Sequence, residues 1–174
     1  MKKNTKWIAQ TALMTALLIV LQFVTKAFGQ FVTGSCVNLV LALSALICGL
    51  SSGITVALLS PFFAFLLGIG PAFLPIVPCV CVGNTVYVLL LSLLFGAYKG
   101  KKLPAKGALV LTSAAAKAAA LYLLVVKIAV PALGLAEKQA AVISASFSWP
   151  QLVTGIIGGL IALVIYPRLK KGAK

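Results

Sequence analysis

The chain has 174 residues, 62% hydrophobic and 9% charged, and its 15 Lys and Arg stand against one acidic residue and no histidine. A water-soluble domain of this length cannot bury so much apolar surface, so the composition excludes one and points to lipid as solvent. General acid–base catalysis is left almost without groups. The cations terminate apolar runs rather than sharing one exposed face, which excludes a nucleic-acid binder.

Lys2, Lys3 and Lys6 precede an apolar run from Trp7 to Phe28. That is about the ~20 residues a spanning helix needs, which predicts a retained first transmembrane helix rather than a cleaved signal peptide. Gly29, Thr33 and Gly34 predict a loop over Gly29–Ser35, followed by a short second span over Cys36–Leu50. A tight turn at Gly49, Ser51, Ser52 and Gly53 leads to a third span over Ile54–Ile69, kinked at Pro61. Gly68, Gly70, Pro71, Pro75 and Pro78 mark the next loop, and the fourth span covers Cys79–Tyr98. The basic stretch Lys99–Lys106 separates it from a fifth span over Gly107–Val130, ended by Pro131 and Gly134. The sixth span is clearest over Trp149–Tyr166, with Ser148 and Pro150 as its start signal. Ala140–Phe147 is either an earlier part of that helix or a surface turn.

The expected architecture is thus an all-α membrane protein, one domain of six transmembrane helices over residues 1–174. Positively charged loops mark the cytoplasmic side. The clusters at the start, at Lys99–Lys106 and at Arg168, Lys170, Lys171 and Lys174 place both termini inside only if the number of spans is even. The opposite loops hold or adjoin only Lys26, Lys127 and Lys138, with Glu137 beside the last. No obvious internal repeat relates the first three spans to the last three, so the inverted-repeat signal of secondary transporters is weak.

Cys36, Cys48, Cys79 and Cys81 carry no metal-ligand spacing and read as small apolar helix residues, so no cofactor is expected. Ser113 and Lys117 share a helix face, but an i, i+4 pair alone does not make a catalytic dyad, and the chain is not expected to be an enzyme. Lys117 falls near the middle of the fifth span. A charge at that depth costs about 2.5–3.5 kcal/mol and faces a cavity or a partner. With no intramembrane acid to pair with, it needs a carbonyl, a water-filled pocket or an anionic ligand. Lys127 lies within a turn of the outer end, where it either snorkels or joins the same site. Asn38, Asn84, Tyr122 and Gln151 share the outer half of the bilayer, near the loop carrying Gln30 and Thr33. With Lys117 they suit a small ligand with a planar apolar part and an anionic group. Interhelical hydrogen bonding is the alternative for Asn38, Asn84 and Gln151, and interface anchoring is the alternative for Trp149. On the first span Ala12 and Ala16, with Ala9 nearby, form a small-xxx-small face for packing inside the protein or against a partner helix.

Small size, six spans with basic ends inside, and Ala12-Leu13-Met14-Thr15-Ala16 make the chain resemble the substrate-binding S component of an energy-coupling-factor (ECF) transporter. Gly49-Leu50-Ser51-Ser52-Gly53, Phe147-Ser148-Trp149-Pro150-Gln151 and the Gly155–Gly159 stretch add to the resemblance, which spans nearly the whole chain. It implies capture of a vitamin or related micronutrient outside a prokaryotic plasma membrane. Release inside would be driven by a transmembrane coupling subunit and two ATP-binding subunits, since this chain has no phosphate-binding loop sequence of its own. It further implies that Ala12 and Ala16 dock on the coupling subunit. The pocket would lie among Asn84, Lys117, Tyr122, Lys127, Trp149 and Gln151 in the outer parts of the later helices, capped by the loop after the first. The lack of intramembrane acid argues against a cationic substrate such as thiamine, and Lys117 argues for an acid. A stand-alone small permease and a structural membrane scaffold are the competing readings.

Overall fold

The computed structural model describes residues 3–71, 73–97 and 103–172. Of the positions singled out above, Lys2, Tyr98, Lys99, Lys101, Lys102 and Lys174 lie outside the described residues. Among the described residues all regular structure is helical. Helix α1 (Lys3–Thr25) closes in a 3₁₀ turn (Lys26–Phe28), and α2 (Gln30–Leu43) runs on as a π-helical turn (Ser44–Cys48). Then come α3 (Leu50–Leu66), α4 (Ile76–Ala97) and α5 (Leu103–Leu121). Helix α5 passes into a π-helical stretch (Tyr122–Ala129) and a last turn, α6 (Val130–Ala132). The chain ends in a short α7 (Glu137–Ser146) and a long α8 (Trp149–Gly172). Five segments are long and apolar enough to cross a membrane, and α3 is a shorter apolar helix beside them. Apolar side chains cover both faces of these helices because one face meets the bundle and the other meets lipid. Leu13, Phe23, Leu66, Leu123 and Val164 are exposed, whereas Leu18, Val56, Tyr87, Val110 and Leu121 are buried.

Two expected loops shrink to one residue each. Gly29 (φ 82°) makes the whole reversal between α1 and α2, so the expected loop Gly29–Ser35 is instead the first turn and a half of α2. Such a φ suits a residue without Cβ, and Thr33 steadies the turn by donating from Oγ1 to the Thr25 carbonyl at 2.9 Å. Gly34 is not a breaker. A Cβ there would sit 2.9 Å from Thr154 Cγ2, so it is a place where α2 and α8 touch. Gly49 (φ 95°) likewise turns the chain alone, and Ser51, Ser52 and Gly53 belong to α3. Helix α3 stops at Leu66, short of the expected Ile69, and carries Pro61 inside it. Helix α4 starts at Ile76, before the expected Cys79, with Pro78 in its first turn, where no intrahelical donor is needed. The residues around 140–147 form a helix of their own, and α8 continues past Tyr166 through Pro167.

Helix α1 packs on α2 and α3, α3 on α4, α4 on α5, α5 on α8, and α8 on α2. The six long helices therefore close a ring in the order α1–α2–α8–α5–α4–α3, with α5 across from α1. Close approach is possible because α8 presents glycines. A Cβ on Gly158 would lie 2.5 Å from the Ser35 carbonyl oxygen and 2.6 Å from the Leu39 nitrogen, and one on Gly155 would lie 2.9 Å from Ala114 Cβ. At the end of the bundle that holds both termini, α1 is tied to α3 by Trp7 Nε1 donating to Ser51 Oγ (3.1 Å) and by a Thr11–Ser52 hydroxyl pair (2.9 Å). The positive-charge bias assigns this end to the cytoplasm.

Candidate ligand-binding cavity and its buried lysine

At the opposite end the ring encloses a cavity of about 400 Å³. Its walls come from the far halves of α1, α2, α3, α4 and α5 and from the start of α8. Val142, Ile143 and Phe147, on and just after α7, complete the lining. The expected cap, the segment after the first span, contributes Gly29, Gln30 and Thr33 as wall rather than as a loop. Helix α7 is held in place by its last carbonyl: Gln30 Nε2 and Gln151 Nε2 both donate to Ser146 O, the latter at 3.1 Å.

Lys117 stands among the lining residues. Six alanines flank it on α5, good helix formers whose small side chains leave its long stem room. It is 2% exposed, and its ammonium donates to Asn38 Oδ1 at 2.6 Å and to Asn84 Oδ1 at 2.7 Å. The Tyr87 ring lies 5.6 Å away, its electron-rich face a further partner for the cation. Asn38 is oriented in turn by donating from Nδ2 to the Gly34 carbonyl (2.9 Å) and to Thr154 Oγ1 (3.3 Å). Tyr87 is oriented by donating to the Gly155 carbonyl (2.9 Å). Helical rise puts Asn38 ~13 Å below Gly29 and Asn84 ~12 Å below the start of α4. The three polar groups therefore meet well inside the apolar layer, each on a different helix. An ammonium has three N–H donors, and two are spent on the asparagines. The third has no hydrogen-bond acceptor among the described residues.

The expected constellation divides here. Asn38, Asn84, Lys117 and Gln151 line one cavity. Tyr122, Lys127 and Trp149 do not. Tyr122 is 38% exposed, and Lys127 lies over its ring at 5.4 Å on the bundle surface. Trp149 is 64% exposed and packs against Phe31, with ring centroids 5.4 Å apart. Ser113 does not pair with Lys117, because its hydroxyl donates to the Leu109 carbonyl of its own helix at 2.8 Å. Among the described residues no group of three or more Cys, Asp or Glu could hold a metal ion. Four lining groups were not singled out from the sequence as site residues: Gln22, Lys26, Ser60 and Ser146. Lys26 donates to the Gly68 carbonyl at 3.0 Å across the α3–α4 connection. Ser60 Oγ and Gln22 Oε1 are buried without a hydrogen-bond partner.

A family model described as the substrate-specific component of ECF transporters matches residues 6–169. The chain belongs to that family. No curated protein and no solved structure matches it. The S component is thus a multi-pass helical membrane protein, of a family whose members bind and pass on a transported substrate rather than transform it. Membership implies association with ECF coupling and ATPase subunits. Ala9, Ala12 and Ala16 are exposed along one side of α1, away from the buried Thr11, Thr15 and Leu18.

Proposed function

We propose that this S component captures an anionic, vitamin-sized micronutrient from outside a prokaryotic plasma membrane. The carrying observation is a buried ammonium with a donor to spare, in a cavity whose lining includes Lys26 and Lys117 but no carboxylate. A buried charge is tolerated when paired and hydrogen-bonded, and the two asparagines supply dipoles but no countercharge. An incoming carboxylate or phosphate supplies it. The cavity volume is at the small end of ligand pockets, which suits one or two fused rings with an acidic substituent.

Transport then rests on partner subunits, a coupling subunit and two ATPases. The exposed small side chains of Ala12 and Ala16 support docking on that side of α1, because they let a partner helix approach closely. The test is native mass spectrometry and thermal shift of the purified protein against a vitamin panel without ATP. One acidic compound is expected to bind and stabilise the fold, and Lys117→Met to weaken it. Binding that prefers a cationic compound, or that is indifferent to Lys117→Met, removes the anion reading. Uptake by the protein alone in liposomes removes the dependence on partners.

A further inference from the structure

The cavity has a second polar pole, across the ring from Lys117. Gln22 stands on α1, which faces α5 across the bundle, and Ser60 stands on the neighbouring α3. Both line the cavity, Ser60 is 1% exposed, and both carry an oxygen that no protein group satisfies. An unsatisfied buried polar group is costly and rare, and two on adjoining helices of one cavity require an explanation. Packing does not provide one, since a hydroxyl on a helix ordinarily returns to a carbonyl three or four residues back. Thr11, Thr15, Thr25, Thr55, Ser113 and Ser146 all do so in this chain. Ser60 does not, although Pro61 follows it and denies its own helix a backbone donor. Thr85 on α4 is unpartnered too but does not line the cavity, so it is the pairing of Ser60 with Gln22 on one cavity wall that points to a ligand.

We infer that Gln22 and Ser60 form a subsite for a hydrogen-bond donor on the substrate, opposite the group that Lys117 takes. The chemical class is then an acid carrying an N–H or O–H donor, such as a lactam, ureido or amino group, at the end remote from its carboxylate or phosphate. The unsatisfied atom of Gln22 is its amide oxygen, an acceptor that pairs with a donor, and the Ser60 hydroxyl serves the same edge as acceptor or donor. Helical rise places Ser60 ~9 Å below the end of α3 and Gln22 ~4–5 Å below the end of α1. Both therefore stand nearer the mouth than Lys117, and the ligand lies acid end down. A site with buried polar groups of this kind rejects an analogue that leaves them unpaired far more strongly than an apolar wall rejects a size mismatch.

This inference rests on the capture of an anion proposed above, and the experiment separates the two. Native mass spectrometry is run on the full chain with matched acids that differ only in the donor. The probes are biotin beside its N,N′-dimethyl form, orotate beside 1,3-dimethylorotate, and pterin-6-carboxylate beside its N-methylated form. The donor-bearing member of at least one pair is expected to bind tenfold or more tightly than its partner, about the effect of one lost hydrogen bond in a buried site. Gln22→Leu is expected to erase that preference while leaving the donor-free acid unaffected. Lys117→Met is expected to weaken both members alike. Equal binding within every pair, or a preference that survives both Gln22→Leu and Ser60→Ala, overturns the donor subsite and leaves the anion reading standing. Binding only to the methyl esters, or to none of the acids, overturns the anion reading and the subsite with it.

Discussion

Gly158→Ala tests whether the site depends on the close contact of α8 with α2. The added Cβ would lie 2.5 Å from the Ser35 carbonyl oxygen, 2.6 Å from the Leu39 nitrogen and 2.8 Å from Asn38 Cβ, where ordinary contact begins at 3.4 Å. Two of the three are backbone atoms, so no rotamer change relieves the clash, and α2 must retreat by roughly 0.9 Å. Overpacking of this kind costs about 1–3 kcal/mol, and the backbone contacts put this case at the upper end. Asn38 moves with its helix. Its 2.6 Å bond to Lys117 would stretch to about 3.5 Å, beyond hydrogen-bonding range, leaving a buried cation short of one partner. The expected result is a lower melting temperature in detergent or nanodiscs together with weaker ligand binding. The control is Gly96→Ala on α4, where a Cβ meets nothing within 4 Å and the gain in helix propensity is up to ~1 kcal/mol. If Gly158→Ala melts and binds like Gly96→Ala, the α2–α8 contact does not hold the site, and the reasoning fails.

Three further outcomes are expected. Lys117→Met, which keeps the stem and drops the charge, should lower affinity for the acid by about 10–150-fold, the worth of a charge-assisted hydrogen bond of about 1.5–3 kcal/mol, read by isothermal titration. Ala12→Leu with Ala16→Leu should abolish co-purification with the coupling subunit while ligand affinity is unchanged, and an intact complex would refute docking on this face. Lys127→Ala and Trp149→Ala should each leave affinity within about twofold, since both side chains stand outside the cavity and surface changes stay within ±0.5 kcal/mol. A tenfold loss in either would extend the site to the outer surface of α5 or α8.

The six-span bundle was legible because hydropathy and charge clustering are strong signals over ~20 residues, whereas single glycines are ambiguous. Gly29 and Gly49 turn the chain, but Gly34 and Gly53 sit inside helices as contact points, and composition does not tell the two uses apart. The buried lysine and its two asparagines were legible from depth. Depth alone also drew in Tyr122 and Lys127, although helical phase separates them. Tyr122, five residues after Lys117, is ~140° around the helix from it. Phase would also have found Gln22. It falls in register with the buried Thr11, Thr15 and Leu18, at the four- and three-residue steps of one helix face. Trp149 followed from proximity in sequence to Gln151, yet residues two apart on a helix point about 160° apart, and only Gln151 turns inward.

Helix α1 is one unbroken rod of 23 residues, ~35 Å long, and it carries both a cavity-lining residue and the alanines proposed for docking. Gln22 lines the cavity, while Ala12 and Ala16 lie within ~15 Å of it along the same axis and face outward. No hinge lies between them to absorb a tilt, since the first positive-φ residue is Gly29, beyond both. If the partner docks on the alanines as proposed, its lean moves the cavity wall, and thermodynamic linkage makes the traffic two-way. Whatever factor an occupied cavity adds to the affinity for the partner, the docked partner returns to the affinity for the substrate with the same magnitude.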